Sequence, residues 1–445
     1  MRPRLAGLHR VSVQRRMHLV AYLKTGPTAN HPGAWRHPEA DLHDIFDPAR
    51  YEHIARVLEA ACFDACFYAD TFGLPDIHGG NFDAYLRYGG QISYLDPLMI
   101  LPVMARVTDH LGLGATLSTT FFPPYYFART LASLDLLTKG RAAWNVVTSA
   151  TNLEARNFGL DGIPPKDRRY DHAEEVLEAC DALWNCWQDG AFVMDRESGV
   201  FIDPSKVRYA NFEGPTLTTR GPLTMPRTPQ VRPVLLQAGA SDRGREFAAR
   251  WAEMIFCTPH SKADTIAFHD DIKSRMAKYG RAPEECKVLP SFAMVVGETE
   301  SIAQEKYAYL QSLIDPEAQR MLNSSLIGAD LTKHQTAEAV AAAQGNQGIS
   351  GSHDRLLQQV AQDGISFAQA ASKPRGLLVG TGTDIADQLE DYFTAGACDG
   401  FIIWPTIFPG MFEDFCRVVV PELQRRGLFR TEYKADTLRG NLAAP

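Results

Sequence analysis

The segment Val234–Arg250, VLLQAGASDRGREFAAR, has residue types suited to binding an anion. An apolar run is followed by Gly239 and Ala240, and Ser241 stands where the capping residue of a helix belongs. Unpaired backbone N–H groups at the start of a helix attract phosphate, and a glycine allows close approach to the backbone. The same residues could form an ordinary capped turn, and they lack the closing glycine of the hydrolase motif G-x-S-x-G. The segment predicts strand, turn and helix, with a phosphate site as the functional interpretation.

Three other apolar runs carry polar residues at or near their carboxyl ends. Asn145 lies inside one run, which ends in Thr148 and Ser149, and Thr116 lies inside the run before it. Asp70 follows a third run. A buried amide must find hydrogen-bond partners, so Asn145 has either a structural role or a ligand-binding role. Because ligands of parallel barrels bind at the carboxyl ends of the strands, these polar groups are expected to converge on one site.

Several other chemistries lack their sequence signals. The stretches GLG at Gly112 and GTG at Gly380 do not continue as G-x-G-x-x-G, so a Rossmann-type NAD(P) site is not expected. There is no P-loop, and no pair of strand-end carboxylates stands out for glycosidase chemistry. The 13 histidines and eight scattered cysteines show no metal-ligand spacing, so we expect no metal. The cysteines are interpreted as reduced thiols of a cytoplasmic protein.

The composition predicts a soluble chain that buries a large core. The 445 residues are 45% hydrophobic and carry a net charge of -8. Nucleic acids and membrane surfaces attract basic patches, so neither is expected as a partner. The first sixteen residues are the exception, with five arginines and no acidic residue. Because they lack the apolar segment of a secretory signal, we interpret residues 1–16 as a basic N-terminal extension.

Short apolar runs alternate with helical stretches along the rest of the chain. Parallel strands need crossover connections, so this alternation predicts an α/β fold, a (β/α)8 barrel. Apolar residues repeat with a period of 3.6 between Tyr170 and Trp187, and further helices are expected at Asp384–Ala395 and from Met411 onward, interrupted near Pro421. We predict strands at His18–Leu23, Ala65–Asp70, Leu111–Ser118, Ala142–Thr148, Val234–Ala238, Met254–Thr258, Val288–Val296 and Gly400–Trp404.

The barrel is expected to form one domain over residues 17–430, followed by a C-terminal tail at 431–445. Three stretches exceed a minimal barrel and are interpreted as insertions, the second of them as a small β excursion. Long loops in a compact domain are usually functional or disordered. The third insertion contains the Gly/Gln/Ser-rich segment Gln344–Ser352 and is our candidate for a lid. The insertions span 73–94, 189–231 and 317–375.

Specific motifs occur throughout the chain after Met17. They include MHLVAYL at Met17, GAWRHP at Gly33, FDACFYAD at Phe63, LGLGATLSTTFFPPY at Leu111, ASLDLLTKGRAAWNVVTS at Ala132, QAGASDRG at Gln237 and VVPELQRRGLFRTEY at Val419. Together they resemble the bacterial luciferase superfamily, in the group of nitrilotriacetate monooxygenase, pristinamycin synthase and dibenzothiophene-sulfone monooxygenase. The resemblance implies a luciferase-type (β/α)8 barrel, a homodimer or homotetramer. It would bind reduced FMN, supplied by diffusion from a separate NAD(P)H:FMN reductase, and would use O2 to oxygenate a small organic substrate.

The resemblance also implies roles for individual residues. Thr116 and Asn145 match the pair held beside the flavin where oxygen reacts, and they are the predicted catalytic residues. The phosphate site maps to Gly239, Ala240 and Ser241, with Tyr170 reaching the same phosphate. Other residues that match the flavin lining are Asp70, Thr148 and Ser149. The substrate side would be lined by Tyr22, His31, Tyr126 and Trp404.

Two positions depart from the sulfone branch of this group. Tyr126, in PYYFAR, and Asn30 both stand where a histidine is common, which could change the substrate or remove an acid–base group. The leading expectation is oxygenation beside sulfur or nitrogen followed by cleavage of a C–S or C–N bond, with dibenzothiophene sulfone as the model substrate. Alternatives are a deazaflavin-dependent oxidoreductase of the same superfamily, a non-catalytic flavin-binding protein and a barrel hydrolase. Whether oxygen reacts at C4a or N5 of the flavin stays open, with Thr116 and Asn145 favouring N5.

Overall fold

Eight parallel strands pair in chain order, and the last pairs with the first, which closes a barrel. The computed structural model describes residues 15–27, 31–43, 45–258, 261–334 and 376–444. The predicted (β/α)8 barrel is confirmed, and every predicted strand is present with bounds shifted by at most two residues. The barrel strands are β1 His18–Leu23, β2 Ala65–Tyr68, β3 Gly112–Ser118, β4 Ala142–Val147, β5 Val234–Ala238, β6 Met254–Cys257, β7 Lys287–Val296 and β8 Gly400–Trp404.

A further parallel strand, Leu377–Gly380, pairs with the second half of β7 at Ala293–Val296. The sequence analysis missed it because a four-residue apolar run has no periodicity that separates a strand from a buried helical turn. β7 is the longest barrel strand, with 10 residues, and its second half therefore extends beyond its pairing with β6 to reach this partner.

Helices connect the strands, and several begin at strong local signals. α1, α3 and α10 each start at a proline that follows an aspartate whose carboxylate accepts a backbone N–H, as favoured at helix N-termini. The helices are α1 Pro48–Ala60, α2 Asp83–Arg87, α3 Pro97–Ala105, α4 Pro124–Leu137, α5 Asn152–Asn157, α6 Lys166–Trp184, α7 Asp242–Trp251, α8 Lys262–Met276, α9 Glu300–Ser312, α10 Pro316–Ile327, α11 Gly382–Thr394, α12 Gly410–Asp414, α13 Val420–Arg425 and α14 Leu438–Ala443.

The helix expected from Met411 onward changes geometry where the sequence analysis placed an interruption. α12 continues through a π-helical turn, Phe415–Val419, directly into α13. Pro421 is the second residue of α13 and directly follows the π-helical turn. The chain thus keeps a helical course through this proline instead of ending before it.

The barrel interior is filled by apolar side chains from seven of the eight strands, and two leucines of α14 join them. Leu438 and Leu442 of α14 are buried in the same cluster as Val20, Ala65 and Leu289. Residues 431–445 were expected to be a tail, but α14 covers the amino-terminal end of the barrel. Leu438 and Leu442 therefore belong to the core.

The three insertions differ in what they form. Residues 73–94 contain α2, and residues 189–231 contain a small antiparallel hairpin, Phe212–Glu213 with Thr218–Thr219, in keeping with the predicted β excursion. The third insertion contributes α10, whereas residues 335–375, including Gln344–Ser352, lie outside the described residues. Within the described part of the chain, no helix has both the length and the apolar character needed to cross a membrane.

Candidate active site

A cavity of about 380 Å³ lies at the carboxyl ends of the barrel strands. This volume falls within the range of roughly 300–1,000 Å³ that is usual for small-molecule sites. The cavity wall includes residues that follow β1, β2, β4 and β5, together with residues of the first insertion and of α10. The structure brings all seven predicted cofactor residues to this wall: Asp70, Thr148, Ser149, Tyr170, Gly239, Ala240 and Ser241.

The turn between β5 and α7 forms one end of the cavity. Ser241 caps α7, and its Oγ accepts the backbone N–H of Gly244 at 3.2 Å. A Cβ added to Gly244 would lie 2.8 Å from the Tyr170 hydroxyl and 3.1 Å from Cα of Gly239, so glycine is needed for this close packing. Burial raises the pKa of Tyr170, which therefore remains a neutral hydrogen-bonding phenol. The start of α7 thus presents N–H groups and a hydroxyl to the cavity.

Arg169 reaches the same end of the cavity and was missed by the sequence analysis. The residue is buried, it lines the cavity next to Tyr170, and its guanidinium donates to the carbonyl oxygens of Ser149 and Thr148. Its Nε has no hydrogen-bond partner among the described residues. The signal was present in the sequence as the neighbour of Tyr170 in DRRY, but a helical arginine is usually solvated. We call Arg169, Tyr170 and Gly239–Ser241 the anion cradle.

Asn145 and Thr116 form a buried pair on neighbouring strands. They are register partners in β4 and β3, and the Asn145 amide donates to the Thr116 hydroxyl oxygen at 2.9 Å. Asn145 Oδ1 has no partner among the described residues, although buried amide oxygens are normally satisfied. The next residue, Val146, lines the cavity. The two predicted catalytic residues therefore lie in contact, and Asn145 Oδ1 can still accept a hydrogen bond.

The loop after β4 is held rigidly by hydroxyl groups. Ser149 has a left-handed φ of 53°, which is uncommon outside glycine and often marks functional positions. Its hydroxyl donates to Glu154 Oε1 at 3.0 Å, and the Thr151 hydroxyl donates to Glu154 Oε2 at 2.9 Å. The Thr120 hydroxyl donates to the carbonyl oxygen of Thr148 at 2.8 Å. Glu154, which the sequence analysis did not predict as a site residue, is buried and lines the cavity.

The four predicted substrate residues are placed differently from one another. Tyr22 and Trp404 lie together, with ring centroids 5.5 Å apart, and Trp404 Nε1 is buried without a partner among the described residues. Burial raises the pKa of Tyr22, and Tyr85, which lines the cavity, is close enough to raise it further. Neither Tyr22 nor Trp404 is itself part of the cavity wall.

The other two predicted substrate residues lie off the cavity wall. His31 accepts the backbone N–H of Gly33 at 3.1 Å and faces Gln311 of α9, and burial lowers its pKa to about 4. Tyr126 is 38% exposed on the outer side of the first turn of α4, and its ring stacks on Phe122. Asn30, the other departure from the sulfone branch, lies outside the described residues.

Lys24 also lines the cavity and was not predicted. It directly follows β1 and is 6% exposed. Burial lowers the pKa of its ammonium group to about 8, although the carboxylates of Asp70 and Glu154 act in the opposite direction. A lysine at the end of a strand is normally a solvated residue, so the sequence carried no signal for this position.

Comparisons with known proteins match nearly the whole chain. Residues 27–398 match the model of a family described as luciferase-like monooxygenase. The chain is 41% identical to dibenzothiophene-sulfone monooxygenase of Rhodococcus erythropolis (strain XP), over 96% of this chain and 97% of that protein. It is 40% identical to nitrilotriacetate monooxygenase component A of Aminobacter aminovorans, over 93% of both.

Two solved structures have the same fold over almost their entire length. The structure of a long-chain alkane monooxygenase superposes with a TM-score of 0.86 at 37% identity, covering 97% of this chain and 96% of that one. A riboflavin lyase with modified FMN and the substrate riboflavin superposes with a TM-score of 0.85 at 30% identity, covering 96% of both chains.

Proposed function

The chain belongs to the luciferase-like monooxygenase family, and on this premise we propose that it is the oxygenase component of a two-component system that uses reduced FMN and O2. The observation that carries the proposal is the anion cradle opening into the same cavity as the polar ends of β2 and β4. A relative that is 40% identical is named component A, which supports a separate partner that supplies reduced flavin. A structural neighbour that contains modified FMN supports the choice of flavin.

The residues of the cavity fit the chemical groups of FMN. A phosphate at the anion cradle would meet the N–H groups at the start of α7, the Ser241 hydroxyl and the Arg169 guanidinium, which together favour a dianion. Because the cradle offers a single helix start and no G-x-G-x-x-G turn for a pyrophosphate, FMN should bind in preference to FAD. Asp70, Thr148 and Ser149 lie further along the same wall and would line the rest of the flavin.

When bound, reduced flavin supplies the electrons that activate dioxygen. The protein then has to position the reactants, exclude water and stabilise the charge that develops. Asn145 and Thr116 suit this last task, because their hydrogen-bonding groups are fixed to each other by a 2.9 Å hydrogen bond on a rigid pair of strands. The apolar and hydroxyl-lined wall after β4, held by Glu154, would keep water from the reaction.

We propose oxygenation of a carbon beside sulfur or nitrogen, followed by cleavage of the C–S or C–N bond. The relatives at 41% and 40% identity are named for a sulfone and for an aminopolycarboxylate, and both compound classes contain such a carbon. Dibenzothiophene sulfone is the first substrate to test, because the relative named for it matches over 96% of this chain.

The proposed function is tested by turnover under isotopically heavy dioxygen with NADH, FMN and a general FMN reductase. A panel of sulfones, sulfides and aminopolycarboxylates should contain a compound that is converted to a product with one heavy oxygen atom. Oxidation or reduction of a substrate without oxygen would favour the deazaflavin-type alternative. FMN binding without substrate-dependent oxygen uptake would indicate a flavin-binding protein, and conversion without flavin would indicate a hydrolase. Each of these three results would contradict the proposal.

A further inference from the structure

The ammonium group of Lys24 is buried in the cavity wall and has few hydrogen-bond partners. The residue is 6% exposed, and its Nζ donates one long hydrogen bond, 3.4 Å, to the carbonyl oxygen of Gln91. Among the described residues no carboxylate lies within ion-pair distance of Nζ. An ammonium has three N–H donors, so at least two are left for another partner.

The acidic groups that influence Lys24 are already engaged elsewhere. Asp70 accepts the backbone N–H of Thr71 at 2.8 Å, and Glu154 accepts the hydroxyl groups of Ser149 and Thr151. Their charges act on Lys24 from a distance and do not replace its lost hydration. A buried charge without a close partner is unfavourable for folding and is rarely retained without a functional role.

Lys24 is also separated from the anion cradle by the architecture of the barrel. Two other cationic side chains line the cavity, Lys166 and Arg169, and both come from α6 beside the cradle. Lys24 follows β1, whereas Ser241 follows β5, and these strands are four positions apart in a closed ring of eight. The two sites therefore lie on opposite walls, and a phosphate held at the cradle leaves Lys24 available to a second ligand.

We propose that Lys24 binds an anionic group of the substrate, a carboxylate or a sulfonate, on the wall opposite the anion cradle. This inference rests on the proposed function and narrows it to substrates that carry a negative charge. The relatives named above divide along this property, since nitrilotriacetate is anionic, whereas a long-chain alkane and dibenzothiophene sulfone are neutral. Because of Lys24, we expect this chain to prefer a charged substrate, although the relatives that are 41% identical are named for a neutral one.

The test compares two compounds that differ only in charge, diphenyl sulfone and 4-(phenylsulfonyl)benzoate. Their binding to the FMN-loaded protein is measured by calorimetry, with nitrilotriacetate as a third probe that carries carboxylates without the aryl sulfone. A charge-assisted hydrogen bond in a desolvated site should make the wild-type protein bind the benzoate roughly 10- to 100-fold more tightly than the neutral sulfone. In Lys24→Met that preference should disappear, while affinity for diphenyl sulfone and for FMN stays the same.

Lys24→Arg retains the charge and should keep part of the preference. Lys206→Met, at a lysine in the second insertion that does not line the cavity, is the control and should behave as wild type. If Lys24→Met does not fold, Lys24→Gln replaces it with the same readout.

Three outcomes would overturn the inference. They are equal wild-type affinity for the two sulfones, a preference that survives the loss of the Lys24 charge, and failure of both carboxylate probes to bind the FMN-loaded protein. A protein that does not bind FMN at all would instead contradict the proposed function, so failures of the two claims are distinguishable.

Discussion

The two ends of the barrel both bury charged side chains, but they satisfy them in different ways. At the amino-terminal end, the fully buried Asp64 carboxylate accepts from His18 Nδ1 at 2.9 Å, from the backbone N–H of Leu19 at 2.9 Å and from Arg430. In the same region, Arg439 of α14 donates to both oxygens of Glu253. The carboxylates of Asp64 and Glu253 thus have close partners of opposite sign.

At the carboxyl-terminal end, buried polar groups are left with unused capacity. Asn145 Oδ1, Gln237 Oε1, Arg169 Nε and Trp404 Nε1 have no partners among the described residues, and Lys24 has one long hydrogen bond. Groups of this kind lower stability unless something else meets them. We infer that the ion pairs at the amino-terminal end stabilise the barrel, and we propose that the polar groups at the carboxyl-terminal end bind ligands.

The largest effect is expected at the amino-terminal end of the barrel, where Asp64→Asn removes the ion pair with Arg430. Burial alone would raise the pKa of Asp64, but Arg430 and His18 outweigh it and hold that pKa below its ordinary value. The substitution leaves the buried Arg430 guanidinium without its carboxylate partner, so the free energy of unfolding should fall by about 3–5 kcal/mol at pH 7. Chemical denaturation measures the loss, which should shrink as the pH falls below the ordinary carboxyl pKa of 3.8, where stabilisation by the charged form is lost.

A flavin titration of the same variant provides the control. FMN affinity of the folded Asp64→Asn protein should stay within a few-fold of wild type, because Asp64 precedes β2 at the amino-terminal end of the barrel, whereas the cavity lies at the carboxyl ends of the strands. A stable Asp64→Asn protein with impaired FMN binding would reverse the roles assigned to the two ends.

The next largest effect is expected at the carboxyl-terminal end of the barrel, from Asn145→Ala or Thr116→Val. If these groups stabilise charge during oxygen activation, the rate of coupled oxygenation should fall roughly 10²- to 10³-fold while FMN affinity changes only a few-fold. Melting temperature, FMN affinity and product formed per NADH are measured on one preparation. If Asn145 is only structural, activity will instead fall in proportion to the unfolded fraction, and a stable variant with near wild-type turnover would remove Asn145 from the mechanism.

A smaller effect is expected for Lys24→Met, which should raise the free energy of unfolding of the ligand-free protein. The folded protein holds the pKa of Lys24 at about 8, below the ordinary 10.5, so the charged form is disfavoured by folding. At pH 7 the methionine variant should be more stable by on the order of 3 kcal/mol. This advantage should shrink as the pH rises from 8 to 10.5, because the wild-type protein then gains stability by losing the proton. Destabilisation at pH 7 would mean that Lys24 is a structural residue.

Local patterns predicted those parts of the molecule that depend on neighbours in the chain. The strand–turn–helix of Gly239–Ser241 and the pairing of Asn145 with Thr116 follow from short-range rules and from strand order. The packing of α14 against the barrel interior depends on contacts between distant segments, which periodicity does not report. Lys24 and Arg169 were missed for a further reason: their residue types are common on surfaces, and only the fold buries them.

The most direct test of the account is the dissociation constant of reduced FMN, titrated without oxygen for wild type, Ser241→Asp and Thr299→Asp. Both variants place a carboxylate at a helix N-cap, where aspartate caps well, but Thr299 begins α9 away from the cavity wall. A carboxylate facing the FMN phosphate should weaken binding at least roughly 100-fold, since like charges in a partly desolvated site cost several kcal/mol. Thr299→Asp should bind as wild type, and FAD should bind the wild-type protein more weakly than FMN. Unchanged affinity in Ser241→Asp would contradict the central claim that the anion cradle holds the flavin phosphate.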